Sequence, residues 1–461
     1  MSNLLDSKST IETDWLSSSS VYYDLSTSSV SKNIRDILPT GSDIRFHPEG
    51  LYNFLDFGYS VFGQTPIQDI QILQPAECLQ RDSCGRLWLK KLSDPVEKWF
   101  NYNLSEDEIF ELIRERVQKW ENNLSTDQEI VLPLSGGFDS RLLLWCLSDK
   151  SRVRAYTYGI SGEQNKSTEV VYARYLAEYF GVQWEQIYLG DFHNYFLHWD
   201  TEFGLATHAH GMYHIEFYSK IRERIRGNQV LLSGIIGDVW AGSIPYQKLN
   251  TASDLSKLSY SHGLRVDPRH LKLPVLHDLR DHFWEVNKIR LGDHRFQVVT
   301  SMRFKLTLLT YLMRIPQMFG LQPWSPFLDI DIAMAMLNLP PERRANRKWQ
   351  HEFFVKIGLD LENQNLKSSR SNNLNYQAMI LNPLEPLDVS LLSGLFAKEY
   401  LLWINKHIVV TSFSKIRSRI LEIRKIGSFL RLMSFKNNNI EAYFAYLCLK
   451  PIENCIKQVQ T

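Results

Sequence analysis

One short stretch of the sequence combines residues that could bind a phosphate group. The apolar run 130–134 is typical of a buried strand, and it ends abruptly in Ser135-Gly136-Gly137. Adjacent glycines allow backbone N–H groups to converge on an anion, and Ser135 and Ser140 add hydroxyl donors. A helical pattern follows at once, and its positive dipole end points to the same place. The stretch therefore predicts an anion-binding loop between a strand and a helix.

Asp139 gives this loop a second property. A carboxylate would repel a phosphate, so its presence indicates a divalent cation that bridges phosphate oxygens. The loop is not a Walker loop, because no Gly-Lys-Ser/Thr follows. A plain strand–turn–helix corner is the alternative interpretation. The order of residue types favours a site for a phosphate and a metal ion.

A second strand end repeats this arrangement. The apolar residues 230–232 run into Ser233-Gly234, and Asp238 follows in a turn that contains glycine. Two acids at neighbouring strand ends could share the magnesium ion of an ATP complex. Alone this pattern is compatible with an ordinary turn, but downstream of the first loop it predicts a second metal-binding acid.

The elements around these loops alternate between strands and helices. Strands are predicted at 153–159, 182–189 and 229–234, and a helix is predicted at 168–180, closed by Gly181. Such alternation indicates an α/β fold with a doubly wound parallel sheet. Ligands bind such sheets outside the carboxyl ends of the strands, where both loops fall.

The regions on either side of this core have different patterns. Residues 1–45 are rich in serine, and residues 51–91 indicate short strands, with a hairpin turn at 82–85. A linker is predicted at 93–95 and a helix start at Ser105. From residue 270 onward the pattern is mostly helical. The predicted helices there are 302–319, 330–337, 349–357 and several after 387.

Composition excludes several classes of protein. The chain has 461 residues, with 52 Lys+Arg against 51 Asp+Glu, so its net charge of +1 argues against a nucleic-acid partner. Its five cysteines form no Cys-x-x-Cys pair, which suggests reduced thiols in a cytoplasm and no zinc site. The beginning of the sequence shows no signal-peptide pattern, and no apolar run reaches the length of about 18 residues that a membrane span requires.

Several motifs together resemble a known family. Residues 135–140, Ser-Gly-Gly-Phe-Asp-Ser, resemble the pyrophosphate loop of enzymes that cleave ATP between its α- and β-phosphates. Residues 233–242, 324–329 and 57–79 extend the likeness to the asparagine synthetase family, which includes β-lactam synthetases and lasso-peptide cyclases. Pro-Phe-Leu-Asp at 326–329 separates this family from other enzymes with the same first loop. The resemblance covers about residues 50–360.

The resemblance implies a particular architecture. A degenerate and truncated glutaminase-like (Ntn-type) β-rich domain is expected at 1–100. An adenine nucleotide α-hydrolase-like domain with a doubly wound parallel sheet is expected at 101–370. A helical C-terminal extension is expected at 371–461.

The resemblance also implies an ATP- and Mg²⁺-dependent reaction. A carboxylate attacks the α-phosphate, pyrophosphate leaves, and an amine then displaces AMP to form an amide. The residues implied around ATP are Asp139 and Asp238 as metal-binding acids, Ser135, Gly136, Gly137 and Ser140 around the phosphates, and Leu134, Tyr158, Ser233 and Gly234 around adenine and ribose. Two residues are predicted to be catalytic. Lys348 matches the family's late lysine, with a helix-surface lysine as the alternative, and Arg314 stands where relatives often have a basic pair.

Three positions depart from the family pattern. The glutaminase needs a cysteine directly after the initiator methionine, and Ser2 stands there, so no glutamine hydrolysis is expected. Ile235 and Val239 replace two acids of the second loop, which makes asparagine synthesis from ammonia doubtful. The expected substrates are therefore a small-molecule or peptide carboxylate and an amine, including an amine of the same molecule. The alternative is a catalytically inactive, nucleotide-binding relative that acts as a partner or regulatory subunit.

Two further features lie outside these motifs. His210 and His214 have i, i+4 spacing on a predicted helix, which is compatible with a metal site, a polar lining of the substrate pocket or ordinary packing. Residues 415–425 form a basic amphipathic segment. A solvated helix face is its default interpretation, and docking of an acidic partner is the alternative.

Overall fold

A computed structural model describes residues 10–39, 44–227, 229–259, 263–411 and 437–460, without the side chains of 306–308, 459 and 460. Within these ranges the chain is an α/β protein with a β-rich N-terminal part, a parallel central sheet and a helical C-terminal part. The predicted fold class is confirmed. No helix of these ranges is long and apolar enough to cross a membrane.

The N-terminal part contains two small antiparallel sheets. Its strands are β1 (Thr10–Glu12), β2 (Tyr22–Asp24), β3 (Ser29–Ser31), β4 (Gln71–Ile72), β5 (Glu77–Arg81) and β6 (Leu87–Lys91). One sheet has the order β1-β5-β6 and the other the order β3-β2-β4. Helix α1 (Pro48–Phe57) lies between β3 and β4 in sequence and ends at Gly58, whose φ of 84° suits glycine. The hairpin turn predicted at 82–85 connects β5 and β6.

This N-terminal part is attached to the rest of the chain by specific contacts. The Trp15 indole donates a hydrogen bond of 2.8 Å to the Leu328 carbonyl. The Asp94 carboxylate accepts two hydrogen bonds, of 2.7 and 2.8 Å, from the Arg303 guanidinium. Asp94 also accepts from the Val96 N–H at 3.0 Å and so begins a helical turn. The segment predicted as a linker is therefore an ordered attachment point.

The central sheet has five parallel strands. They are β7 (Ile130–Pro133), β8 (Val153–Thr157), β9 (Gln183–Gln186), β10 (Gln229–Leu232) and β11 (Leu321–Trp324). Their order is β11-β10-β7-β8-β9, so the chain runs outward from β7 in one direction and then returns to the other side of β7 as β10. This reversal creates a crevice at the carboxyl ends of β7 and β10, which is the usual ligand position in such sheets.

Both faces of the sheet are buried. In β7, Val131 belongs to one hydrophobic cluster, while its neighbours Ile130 and Leu132 belong to another. In β10, Leu231 and Leu232 divide between the same two clusters. Because successive side chains of a strand point to opposite faces, each face must be covered by helices. The doubly wound arrangement follows from this pattern.

Helices follow the strands as expected. They are α2 (Glu106–Asn122), α3 (Phe138–Cys146), α4 (Thr168–Phe180), α5 (Phe196–Phe203) and α6 (Met212–Arg222). Ser105 begins α2 with a capping box, since Ser105 and Glu108 each accept a hydrogen bond from the other's N–H. Gly181 ends α4 at the predicted position, with a φ of 66°.

The later part of the described chain is mostly helical. Its helices are α7 (Asp278–Asn287), α8 (His294–Phe304), α9 (Leu306–Met318), α10 (Ile330–Leu337), α11 (Pro341–Arg344), α12 (Lys348–Lys356), α13 (Leu374–Leu381), α14 (Val389–Leu392), α15 (Lys398–His407) and α16 (Asn438–Gln460). The helix predicted at 330–337 is confirmed. The single helix predicted at 302–319 is wrong, because Lys305 has a ψ of 9° and separates α8 from α9.

Candidate functional site

A cavity of about 410 Å³ lies at the crevice between the carboxyl ends of β7 and β10. This volume falls within the range of about 300–1,000 Å³ that is usual for ligand pockets. Its described lining residues are Pro133, Leu134, Ser135, Gly137, Asp139, Ser140, Tyr156, Thr157, Tyr158, Ile160, Glu169, His214, Phe217, Tyr218, Ser233, Gly234, Ile235 and Leu312. Eight of the residues predicted to surround ATP are thus brought to one place.

The first loop has a backbone that requires glycine. Gly136 has a φ of 71°, and a Cβ atom there would lie 2.3 Å from the Tyr172 Cβ. The Ser135 N–H donates to the Ser140 hydroxyl, and the Gly137 N–H donates to the Ser135 hydroxyl, each at 3.3 Å. Helix α3 begins directly after Gly137. The loop therefore places two hydroxyls and a helix N-terminus against the cavity, as an anion-binding loop should.

The second loop touches the first. A Cβ atom on Gly237 would lie 2.8 Å from both Cγ and Oδ1 of Asp139, and one on Gly234 would lie 3.2 Å from the Asp139 Cβ. The Ser233 N–H donates to the Trp324 carbonyl at 2.9 Å, which fixes the start of the loop to β11. Glycine is required at 237 because any side chain there would displace the Asp139 carboxylate.

The two acids predicted to bind a metal lie near one another. The pKa of Asp139 is raised to about 6, with burial as the largest cause; the Arg347 guanidinium opposes this shift, and the Asp238 charge contributes to it. Two neighbouring carboxylates supply the oxygen ligands that Mg²⁺ prefers, and a dication between them would relieve their repulsion. The donor set therefore fits magnesium, with Asp139 and Asp238 as the residues that would hold it.

Arg347 is a basic residue that contacts the predicted metal site. Its guanidinium forms an ion pair with Asp139, and its Nε donates to the Gln350 Oε1 at 2.7 Å. The guanidinium also lies 4.9 Å from the centre of the Phe138 ring. Arg347 has a φ of 57°, directly before α12 begins, and this left-handed conformation accompanies its inward position.

Lys348, which was predicted to be catalytic, lies elsewhere. Its side chain is 57% exposed, and its Nζ lies 3.7 Å from the Glu352 carboxylate one helical turn away. It does not line the cavity. The structure thus favours the interpretation of Lys348 as a helix-surface lysine and places the preceding arginine beside Asp139.

Arg314, the second residue predicted to be catalytic, is held by other contacts. Its guanidinium forms an ion pair with Glu202, donates to the Lys32 carbonyl at 3.1 Å and lies 5.5 Å from the Phe203 ring centre. It is not among the described residues that line the cavity. Its contacts therefore give the predicted catalytic role no support, and they attach the N-terminal part to α5 and α9.

Two further residues were missed by sequence reasoning. Burial lowers the pKa of Lys305 to about 8, and the nearby Asp238 charge opposes this shift. Glu169, in the first turn of α4, lines the cavity, and its Oε2 is buried without a hydrogen-bond partner in the described residues. Burial raises the pKa of Glu169. The break between α8 and α9 positions Lys305, and no sequence pattern indicated that break.

The two histidines expected on one helix lie in two consecutive elements. His210 lies in the turn Ala209–Gly211, and its ring nitrogen lies 3.2 Å from the Asn375 Nδ2, whereas His214 belongs to α6. His214 lines the cavity, and burial lowers its pKa to about 3, so its imidazole is neutral at physiological pH. With Tyr158 and Phe217, whose ring centres lie 5.1 Å apart, it forms an aromatic wall of the cavity.

The structure describes two of the three positions that depart from the family pattern. Ile235 lines the cavity, and Val239 is 2% exposed, so neither position presents an acid to the site. Ser2 and the basic segment 415–425 lie outside the described residues.

The fold and the paired loops define an α/β protein with a candidate ligand site at the switch point of a parallel sheet. Comparison with protein families identifies it further. The chain belongs to the asparagine synthase family, whose sequence model matches residues 112–357, more than half of the chain. This is a family of ATP-dependent ligases that form amide bonds. The match contains both loops and the segment 326–329. No curated protein matches the sequence.

Proposed function

We propose that this protein adenylates a carboxylate and transfers the acyl group to an amine. A carboxylate oxygen attacks the α-phosphorus of ATP, and the bond to the β-phosphate bridging oxygen breaks to release pyrophosphate. The amine nitrogen then attacks the acyl carbon, loses a proton, and displaces AMP. The observation that carries this proposal is the contact between the two strand-end loops, which puts Asp139 and Asp238 together beside an anion-binding loop.

Different residues of the chain bind different parts of ATP in this proposal. The hydroxyls of Ser135 and Ser140 and the N-terminus of α3 face the phosphates, where they can stabilise the charge that develops on the departing pyrophosphate. Leu134, Tyr158, Ser233 and Gly234 lie along the cavity, in positions that suit adenine and ribose. Mg²⁺, held by Asp139 and Asp238, supplies charge neutralisation at the phosphate oxygens when it is bound.

Arg347 is proposed to serve where relatives use the late lysine. Its ion pair with Asp139 puts a permanent positive charge within reach of the phosphates. Lys305 provides a second cation, close to Asp238. Arg347 and Lys305 both lie in the later, mostly helical part of the region that the family model matches. Asp139 and Asp238 both lie just after strands of the central sheet. Charge on the phosphates would therefore be balanced from two sides.

The acyl acceptor is proposed to be a free amine of a small molecule or a peptide. Ile235 and Val239 leave the acceptor side without the acids that the family's second loop normally carries. Beyond Tyr158, the aromatic wall continues with His214 and Phe217, which are uncharged and so suit an apolar or aromatic group of the substrate. In the described N-terminal part, burial raises the pKa of the Cys78 thiol, which suppresses a nucleophilic thiolate.

The test is product analysis with a panel of carboxylates and amines. The protein is incubated with ATP and Mg²⁺, the nucleotide products are followed by ³¹P NMR, and amides are detected by mass spectrometry. Ammonia and glutamine form separate arms of the panel. We expect AMP and pyrophosphate, with loss of both in Asp139→Asn. ADP and phosphate would contradict the proposal, and ATP binding without turnover for every pair would favour the inactive relative.

A further inference from the structure

Arg141, in the first half of α3, binds the backbone of the anion-binding loop on its buried side. Its Nε and Nη2 donate to the Gly136 carbonyl at 3.2 and 2.8 Å. Its Nη1 donates to the Leu359 carbonyl at 2.8 Å. Its Nη1 and Nη2 also bind the two oxygens of Glu362 at 3.0 and 2.8 Å. The Arg141 side chain is completely buried, and its bonds to the two backbone carbonyls form away from water, whereas the Glu362 carboxylate is partly exposed.

The surroundings of Arg141 hold the guanidinium in one orientation. Its central carbon lies 5.2 Å from the Phe138 ring centre and 4.8 Å from the Phe354 ring centre. Glu362 matches its charge with the paired geometry that a guanidinium fork favours. A buried charge is costly unless it is fully paired, and this one is. The guanidinium is therefore a rigid support for whatever it binds.

The bond to Gly136 has a consequence for the neighbouring N–H group. The Gly136 carbonyl and the Gly137 N–H belong to one peptide unit, and in a trans peptide they point in opposite directions. Arg141 holds the carbonyl on the buried side of the loop. The N–H is thereby turned toward the cavity, where it lies 3.3 Å from the Ser135 hydroxyl. Without the hydrogen bonds from Arg141, the glycines on both sides would leave this peptide unit free to rotate.

We propose that Arg141 is a positioning residue, which orients the Gly137 N–H toward the phosphates of the nucleotide by holding the carbonyl of the same peptide unit. This role rests on the proposed function, since it requires phosphates in the cavity. Arg141 itself is not among the described residues that line the cavity. It links the loop to the segment 359–362, which lies 218 residues or more away in the chain. A segment that directly follows the family match thus supports the first loop.

The experiment measures the binding of two probes by titration calorimetry in the presence of Mg²⁺. The probes are inorganic pyrophosphate, which needs the loop, and AMP, which lacks the β- and γ-phosphates. In Arg141→Met the Gly137 N–H is no longer held toward the cavity. The loop thereby loses one aligned hydrogen-bond donor to the charged pyrophosphate. Since such a bond contributes about 1.5–3 kcal/mol, pyrophosphate affinity should fall by about 10- to 100-fold. AMP affinity should change by less than about threefold.

Arg303→Met is the matched control. Arg303 also binds a carboxylate through two nitrogens and donates to a backbone carbonyl through Nε and Nη2, namely that of Trp15 at 3.2 and 3.0 Å. It lies outside the described lining of the nucleotide cavity. We expect this variant to lose stability but to bind both probes like the wild type. Arg141→Lys should not restore pyrophosphate affinity, because an ammonium cannot reproduce the fork.

The outcomes separate the two proposals. Failure of the wild type to bind pyrophosphate would refute the proposed function. Pyrophosphate binding by the wild type and equally by Arg141→Met would overturn only the role of Arg141. Equal losses of pyrophosphate and AMP affinity would also overturn it, because they indicate a general collapse of the site. Should Arg141→Met fail to fold, Glu362→Ala replaces it, with a selective loss of pyrophosphate affinity expected and an unchanged affinity contradicting the inference.

Discussion

Gly237→Ala tests whether the two loops must touch at Asp139. Gly237 does not have a positive φ, so alanine can adopt its backbone conformation without strain. The added Cβ would lie 2.8 Å from Cγ and Oδ1 of Asp139 and 2.9 Å from Cε2 of Phe327. Favourable contacts between such atoms lie at about 3.5–4.0 Å, so a neighbour must move by roughly 1 Å. Phe327 is fully buried in the core, which leaves the Asp139 carboxylate as the group that moves.

The size of the effect can be worked out from these contacts. Overpacking costs about 1–3 kcal/mol of folding free energy, and replacement of glycine by alanine returns about 0.4–1 kcal/mol through the unfolded state. The net loss of stability should be about 1–2 kcal/mol. Displacement of the metal-binding carboxylate should cost a further 1.5–3 kcal/mol or so in Mg²⁺-dependent ATP binding, which is about 10- to 100-fold in affinity.

Two assays separate these effects. Urea unfolding gives the change in stability, and calorimetric titration with ATP, with and without Mg²⁺, gives the change in metal-dependent affinity. Gly292→Ala is the control, because no atom lies within 4 Å of its added Cβ and its φ is not positive. It should leave ATP binding unchanged. If Gly237→Ala binds Mg-ATP as tightly as the wild type, the account of how Asp139 is positioned is refuted.

Three other predictions concern single side chains. In calorimetry, Arg347→Met should weaken pyrophosphate binding by about tenfold or more, whereas Lys348→Met should keep the affinity within about twofold of the wild type. The reverse result would restore Lys348 as the functional cation. Arg314→Met should break the ion pair with Glu202 and lower the free energy of unfolding by about 1 kcal/mol, with unchanged ATP affinity; a loss of affinity would return Arg314 to the site. The pKa of His214 is lowered to about 3 in the folded protein, so between pH 6.5 and pH 3 the unfolded chain binds more protons and stability falls as pH falls. Between pH 7 and pH 5 this amounts to about 2 kcal/mol, and His214→Asn should flatten the urea-unfolding profile by that amount; an unchanged profile would contradict the burial of a neutral imidazole.

The sequence was sufficient to predict the elements that have local signals. The buried strand and the two glycines of the first loop predicted a strand, a loop and a helix, and the structure has these elements at the switch point of the sheet, beside a cavity. The helix Thr168–Phe180 has its predicted bounds, because Gly181 provides a left-handed end. These features depend on neighbours in the chain, so one sequence is enough to find them.

The cations of the site could not be predicted in the same way. The choice between Arg347 and Lys348 depends on where α12 begins and on left-handed conformations at Asn346 and Arg347, with φ of 52° and 57°. Asparagine is enriched in this conformation but arginine is not, so the sequence did not indicate two such residues in succession. Lys305 faces the second acid because a helix breaks there. Tertiary packing decides both positions.

The support behind the first loop was also hidden in the sequence. Arg141 and Glu362 are separated by 221 residues, and neither belongs to a motif with a known spacing. Likewise, the contact of Gly237 with Asp139 joins two loops that are distant in the chain. A single sequence reveals which residue types are present at the ends of strands, but it does not reveal which distant residues will meet there.

The most direct test of the central claim is the transfer of oxygen from the carboxylate to AMP. With a carboxylate from the active panel labelled with ¹⁸O, the proposed attack on the α-phosphorus leaves one labelled oxygen on AMP after amide formation. Mass spectrometry of the nucleotide and of the amide measures both products. The account predicts labelled AMP in the wild type and none in Asp139→Asn. Unlabelled AMP, or label found in inorganic phosphate beside ADP, would contradict it.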